Sequence, residues 1–573
     1  TLVQNTNIGI VFASGTFPLP KDRRERFSMA LVNGLDLDAL IFNKITVQNI
    51  YNANYNFSKP PYTPNLTAVA GDRKVFLYWD DRAEKSRDPF LGNKLDFEGY
   101  LVYRSSDAEF NDIKVITDSK GNPRYWKPIA QFDLKDSIAG PDPIGINGAR
   151  FWRGSETGLQ HSFVDTTVMN GVRYYYAVVS YDQGDPNKGI LGLQPTECAK
   201  IVTEDAAGQL KFIDINCAIV TPAAAAAGYV PPQIEGDLDN VTQGIGTGSI
   251  DVQVLNPGQI SEGNTYRIVF DASGDIPKYS TTTYSVVRTT TSGATDTLQS
   301  HVSAADFGPA IYSVPFDGLN FSFTNDTLIT VNDTATGWLV GDPGVIVRVS
   351  QDNLNVARDV AWPGDYELRW SSSLVDTAAF SIPPRFPRMP VNFTITNVTD
   401  NKRVKFIVDD ADRNSTLSFG DTIRIIEGYV SPTVYNLTWR LVWERGPGIN
   451  PAPPQDGDRF VIKTRRPYAR GDYFQFTTRV ARTNTERAVT DLGHITVVPN
   501  PYISSESWER RTLFTTGRGD RKILFTHLPA QCTLRIFTVA GYLVKTLVKD
   551  SNASDGSLAW DLVTDDGMDL AYG

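Results

Sequence analysis

Short runs in which apolar and polar residues alternate recur along almost the whole chain. They include "KVFLYW" from Lys74, "GYLVYR" from Gly99, "YYYAVVSY" from Tyr174 and "SIDVQVL" from Ser249. "TYRIVF" from Thr265, "RVKFIV" from Arg403, "YNLTWRLVW" from Tyr435 and "DYFQFTTRV" from Asp472 continue the series. A period of two, bounded by Gly, Pro, Asn and Asp, is the signature of strands joined by turns. The opening "TLVQNTNIGIVFASG" reads the same way, as a strand in mid-domain. Near the end, "LRIFTVAGYLVKTL" (Leu534 to Leu547) alternates, pauses at Ala540-Gly541 and alternates again, which predicts a β-hairpin. One segment departs from this pattern. In "DLDALIFNKITVQNIYNAN" (Asp36 to Asn54), Leu37, Leu40, Ile41, Val47, Ile50 and Tyr51 share one helical face, and Asp36 is placed to cap the start. The fold class expected is mainly β: tandem β-sandwiches with one N-terminal helix.

Proline-rich and small-residue stretches mark the joints. They are "YNFSKPPYTP" before Asn65, "TPAAAAAGYVPP" (Thr221 to Pro232), "FSIPPRFPRMP" (Phe380 to Pro390) and "VVPNPY" (Val497 to Tyr502). They divide the chain into an end piece of a preceding domain (1–58), a sandwich with an insertion (59–203), a connector (204–232), two further sandwiches (233–385 and 386–490) and a last domain (491–573). A length of 573 residues suits roughly four or more such units.

Composition narrows the function classes. The hydrophobic share of 41% supports several cores, so general disorder is excluded. Net charge is −10 with both signs interspersed, and a nucleic-acid partner would need clustered Lys and Arg. No apolar run reaches 18 residues, so no membrane-spanning helix is expected. The N-terminus lacks a basic region and a cleavage site, so it is not a signal peptide and suggests a processed or partial chain. The three cysteines, Cys198, Cys217 and Cys532, have no metal-type spacing. Cys198 and Cys217 can pair in an oxidising compartment, and Cys532 reads as a small buried hydrophobe.

Two stretches resemble known families. Residues 60–203 resemble a fibronectin type III domain with a long insertion, through Pro61 and Pro64, Trp79 in "VFLYWDD", Tyr100 and Tyr103, and Tyr174 to Tyr176. The resemblance implies Trp79 in the sandwich core and a tyrosine hydroxyl tying down a corner. Residues 495–573 carry "ITVVPNPY", "RKILFTHLPAQCTLRIFTVAGYLVKTL" and "LAWDLVTDDGMDLAYG" in order. This resembles the C-terminal Ig-like domain of proteins exported by the type IX secretion system of Bacteroidota, itself similar to the Ig-like part of flagellar hook-capping proteins. Family members continue past the final glycine with one or two strands and a basic segment. That implies an Ig-like sorting domain incomplete at its C-terminal end, and a protein at the outer cell surface or outside the cell. It also implies O-glycans on Asp-Ser/Thr-apolar triplets, here at Thr297, Thr327, Thr334 and Thr377.

The best candidate for chemistry is "DDADRNSTLSFGD". Asp410, Asp412, Asn414, Thr416 and Asp421 fall at positions 1, 3, 5, 7 and 12 of a calcium loop, with Ser415 in place of the usual Gly at position 6. The alternative is an Asp/Asn-rich turn between two strands. "RGD" occurs at Arg470 to Asp472 and at Arg518 to Asp520, where turn chemistry outweighs an adhesive reading. Asp80 and Asp81 are adjacent on a strand and point to opposite faces, so they do not form a catalytic carboxylate pair. No nucleophile elbow, zinc motif, P-loop or dinucleotide fingerprint is present.

The reading is a non-catalytic structural or adhesive protein, with Ca²⁺ as the candidate cofactor and self-assembly, other surface proteins or glycans as partners. The alternatives are accessory and sorting modules of a large secreted hydrolase whose catalytic domain lies upstream of residue 1, and a carbohydrate-binding module using Trp126, Trp152 or Trp362.

Overall fold

The computed structural model describes residues 15–22, 24, 28–52, 58–188, 192–205, 208–305, 307–341, 343–354, 358–379, 385–446, 452–503 and 521–570. The expected opening strand at residues 1–14 lies outside them. The fold is mainly β, with a helix at Leu37–Asn52 as the periodicity requires. The Ala39 amide donates to Asp36 Oδ1 at 2.8 Å, so Asp36 caps the helix.

The first sandwich faces a three-stranded sheet (Leu66–Gly71, Lys74–Trp79, Ser162–Asp165) against a four-stranded one (Cys217–Val220, Tyr174–Asp182, Phe97–Ser105, Ala130–Asp133). Trp79, 2% exposed, packs between them against Tyr100 and Phe132. The strands Phe97–Ser105 and Tyr174–Asp182 are buried almost continuously because their sheet is covered on both faces. Leu101, Tyr103, Tyr175, Val179 and Tyr181 point away from the sandwich into a second cluster. The insertion after Arg104 supplies Phe110 and Phe151 to that cluster. The Tyr176 hydroxyl donates to Asp165 Oδ2 at 2.8 Å, and Arg104 holds the same oxygen. The sheet does not end at residue 203: Cys217–Val220, within the expected connector, pairs with Tyr174–Ala177.

The next two units are nested. Tyr473–Arg479 pairs with Gln233–Glu235 and with Thr265–Val269, closing a sheet whose other strands precede residue 304. Tyr468, Phe474 and Phe476 join a core with Phe270, Tyr284 and Phe323. A third sandwich is inserted between Phe323 and Arg466. It consists of a five-stranded and a four-stranded sheet packed over Trp370, Phe393, Trp439 and Trp443. In it Tyr366–Trp370 pairs with both Phe393–Asn397 and Arg459–Ile462, so the expected boundary at 385/386 runs through a single sheet. Local proline content suggested a boundary there, and pairing such as that of Tyr366 with Ile462, 96 positions apart, leaves no local mark.

The last unit carries Thr496–Val498, Ile523–Thr526 and Leu558–Trp560 in one sheet and the hairpin Gln531–Phe537 with Leu543–Asp550 in another. The hairpin turns where the sequence requires. Gly541 adopts φ +86° and its amide donates to the Thr538 carbonyl at 2.9 Å. Half-buried Cys532 packs against the small core of Phe525, Leu528 and Trp560.

Candidate functional site

The acidic loop joins Lys405–Asp409 to Thr422–Ser431, two antiparallel strands of the inserted sandwich. Strand alternation separates its first two carboxylates. Asp409 turns to Arg385 (2.6 and 2.7 Å) and Arg424 (3.0 Å), and Arg424 also holds Asp352. Asp410 turns into the loop and accepts from the amides of Asn414 (3.2 Å) and Ser415 (2.8 Å). Ser415 sits at φ +61°, the conformation a glycine would supply more cheaply.

Asp410, Asp412 and Asp421 converge: one oxygen from each lies within 4.8 Å of the others. Asp410 and Asp421 are buried and Asp412 is exposed, which leaves one open side. Asp421 accepts from the Ala411 and Ser418 amides at 2.8 and 2.7 Å. Burial pushes the Asp421 carboxyl above the ordinary carboxylate range, and the charge of Asp410 pushes the same way against those amides. Three hard oxygen donors around one point suit a hard cation, whose charge would offset that repulsion. Asn414 and Thr416 serve the loop itself. Asn414 Nδ2 donates to Asp412 at 2.8 Å, and the Thr416 hydroxyl donates to Asn414 Oδ1 at 2.7 Å. A cation here would therefore rest on Asp410, Asp412 and Asp421.

The other singled-out residues have structural partners. Asp472 of the first RGD is 4% exposed and accepts from the amides of Gly246 and Ala469 at 2.8 and 3.0 Å, while Arg470 pairs with Asp271. The second RGD lies outside the described residues. Asp80 pairs with Arg82 and Asp81 with Lys85. Cys198 and Cys217 are free thiols rather than the pair envisaged. Asn216 stands between them, donating to one sulfur and accepting from the other at 3.7 Å each. Burial pushes the Cys217 thiol up to about 12, which keeps it protonated and unreactive. Trp152 is half exposed, but Lys200 and Lys114 lie over the Trp126 ring at 3.5 and 4.5 Å, and Trp362 is half-buried. Thr297, Thr327, Thr334 and Thr377 are all exposed.

A cluster the sequence did not suggest lies in the first sandwich. His161 Nε2 meets Glu84 Oε1 at 2.5 Å, and the Tyr100 hydroxyl donates to the same oxygen at 3.0 Å. His161 and Glu84 are 77 positions apart, and no local motif joins them. Compared with protein-family models and with curated proteins, the chain matches none.

Proposed function

We propose that this chain is a non-catalytic structural or adhesive protein of the extracellular space or outer cell surface, exported by a type IX-like system through its C-terminal Ig-like unit. The observation that carries this reading is the hairpin of that unit. One face, with Leu534, Ile536, Val544 and Leu547, packs on the core. The turn and outer face leave Phe537, Val539, Tyr542, Leu543 and Val548 exposed, Tyr542 at 75%. Apolar side chains left exposed in this way offer a surface for a partner to cover. The nested sandwiches suit a structural role, and the acidic loop is read as a calcium clip on the inserted sandwich. The test is a Val539→Asp, Tyr542→Asp double variant of the full chain. The parent should self-associate in light scattering and be retained on cells, and the variant should lose both. A parent that is strictly monomeric and not retained would end the assembly reading.

A second reading, accessory and sorting modules of a larger secreted hydrolase, is favoured by the helix Leu37–Asn52. Its Leu37, Leu40 and Ile41 are exposed although their spacing is that of a packing face. The complete reading frame upstream of residue 1 distinguishes the two, by the presence or absence of a catalytic motif.

A further inference from the structure

The inserted sandwich meets the second one at a joint where the chain crosses twice. The outgoing segment runs from Thr324 to Val331 and the returning one from Thr464 to Tyr468. They pair with each other at Thr330 with Arg465 and at Val331 with Thr464. Each sandwich keeps its own hydrophobic core, and among the described residues no side chain belongs to both. Units joined without a shared apolar interface move relative to one another unless another contact fixes them.

Arg466 spans this joint. Its backbone is tied to the second sandwich: its amide donates to Thr247 Oγ1 at 2.7 Å, and its carbonyl accepts from the Thr247 amide at 3.2 Å. Its side chain reaches into the inserted sandwich. One guanidinium nitrogen donates to Thr399 Oγ1 at 2.9 Å, and the other terminal nitrogen lies 3.4 Å from Asp365 Oδ1. Asp365 immediately precedes the strand Tyr366–Trp370 and also holds the returning segment, accepting from the Thr464 amide and from Lys463 Nζ at 3.0 Å each. Thr399 Oγ1 in turn accepts from the Asp365 amide at 2.9 Å. Arg466 is 7% exposed. A buried guanidinium does not give up its carboxylate by small steps, because an unpaired buried charge is strongly disfavoured. The contact is therefore made or broken as a whole. A cleft of about 350 Å³ at the same joint, lined by residues that include Thr247, Asp326, Asn332, Lys463 and Arg465, leaves room for the broken state.

The joint also decides where the far end of the inserted sandwich points. Asp365 lies at one end of the strand Tyr366–Trp370. At the other end the Trp370 ring packs against Trp443, with centroids 5.9 Å apart, and the Trp443 amide donates to the Asp421 carbonyl at 3.1 Å. The acidic loop is thus at the end remote from the joint, where a tilt about Arg466 has its largest effect. We propose that Arg466, with Asp365 and Thr399, is an orientation lock. Closed, it holds the inserted sandwich in one direction on the second sandwich. Open, it lets the inserted sandwich swing into the cleft and carry the acidic loop with it. The lock works whether or not that loop holds a cation.

The test is single-molecule FRET on the full chain, with dyes on Ser292→Cys in the second sandwich and Ser373→Cys at the far end of the inserted one. Both positions are exposed, and Cys532→Ser removes the half-buried native thiol. The parent should give one narrow distribution. Arg466→Met, which removes the ion pair and keeps an apolar stem, should widen it severalfold. Arg466→Lys keeps a charge for Asp365 but loses the forked reach to Thr399, so it should widen the distribution less and leave the melting temperature of the inserted sandwich unchanged. The proposal is overturned if the parent distribution is already broad, or if both variants stay as narrow as the parent. If Arg466→Met unfolds the inserted sandwich, Arg466→Lys decides alone, and a distribution as narrow as the parent's overturns the lock.

Discussion

The Gly556 amide donates to the Ala224 carbonyl at 2.6 Å and ties the alanine stretch to the C-terminal unit. Around it the Ala226 amide donates to the Ala553 carbonyl and the Ala227 amide to the Leu528 carbonyl. The same stretch reaches the first sandwich, where the Gly171 amide donates to the Pro222 carbonyl, and the short helix Thr485–Asp491, where Asp491 accepts from the Gly228 amide. Ala224, Ala226 and Ala227 are buried. The stretch is therefore a joint at which distant parts of the chain meet, and its small side chains let backbones approach.

Gly556→Val should open that joint. A Cβ there would lie 2.3 Å from the Ala225 carbonyl oxygen, and backbone cannot step aside as a flexible side chain can. We expect a loss of about 1–3 kcal/mol in denaturant unfolding, with faster proteolysis within residues 221–232. Gly337→Ala, where a Cβ meets nothing within 4 Å among the described residues, should change little.

Trp79→Ala should cost about 3–5 kcal/mol, the range for deleting a large aromatic from a core. Urea titration followed by fluorescence and circular dichroism measures it. A loss below 1 kcal/mol would contradict the packing of Trp79 against Tyr100 and Phe132.

Calcium should raise the melting temperature of the inserted sandwich and chelator should reverse the rise. A site held at 100 times its Kd adds about 2.7 kcal/mol. Asp412→Ala should leave the chelated protein nearly unchanged, because Asp412 is exposed, and should remove the calcium response. Equal melting with calcium and with chelator in the parent would leave the loop as a turn.

Alkaline pH should destabilise the first sandwich through Glu98. Glu98 is 0% exposed and, among the described residues, no hydrogen bond of ordinary geometry reaches either carboxylate oxygen. Burial, then the charges of Asp136 and Asp133, pushes its carboxyl up to about 8 from 4.5. Between those values the folded chain keeps a proton that the unfolded chain releases, so stability is full below pH 4.5 and falls as pH rises to 8. Asp182, pushed up to about 7 chiefly by burial, adds to the same slope. Glu98→Gln should match the parent near pH 4.5 and exceed it near pH 8.5, measured as midpoints of urea unfolding across that range.

Much of this fold is legible in the residues themselves. Period-two alternation at "TYRIVF" and "DYFQFTTRV", Gly541 at the hairpin turn and Asp36 at the helix start each act within a few positions, and the strands, the turn and the cap follow. The loop from Asp410 to Asp421 is legible for the same reason, since its carboxylates lie within twelve positions and close on one another by local hydrogen bonds. Tertiary structure decided what depends on residues far apart in the chain. Strand alternation cannot tell Tyr473–Arg479 that its partners are Gln233–Glu235 and Thr265–Val269, so the nesting of one sandwich inside another was not visible. Nor can composition distinguish a loose alanine linker from one buried against Gly556, because a small side chain serves flexibility and close packing alike. A cavity lined by His161, Tyr284 and Gln299 belongs to the same class: its walls come from two sandwiches, and only their packing brings them to one place.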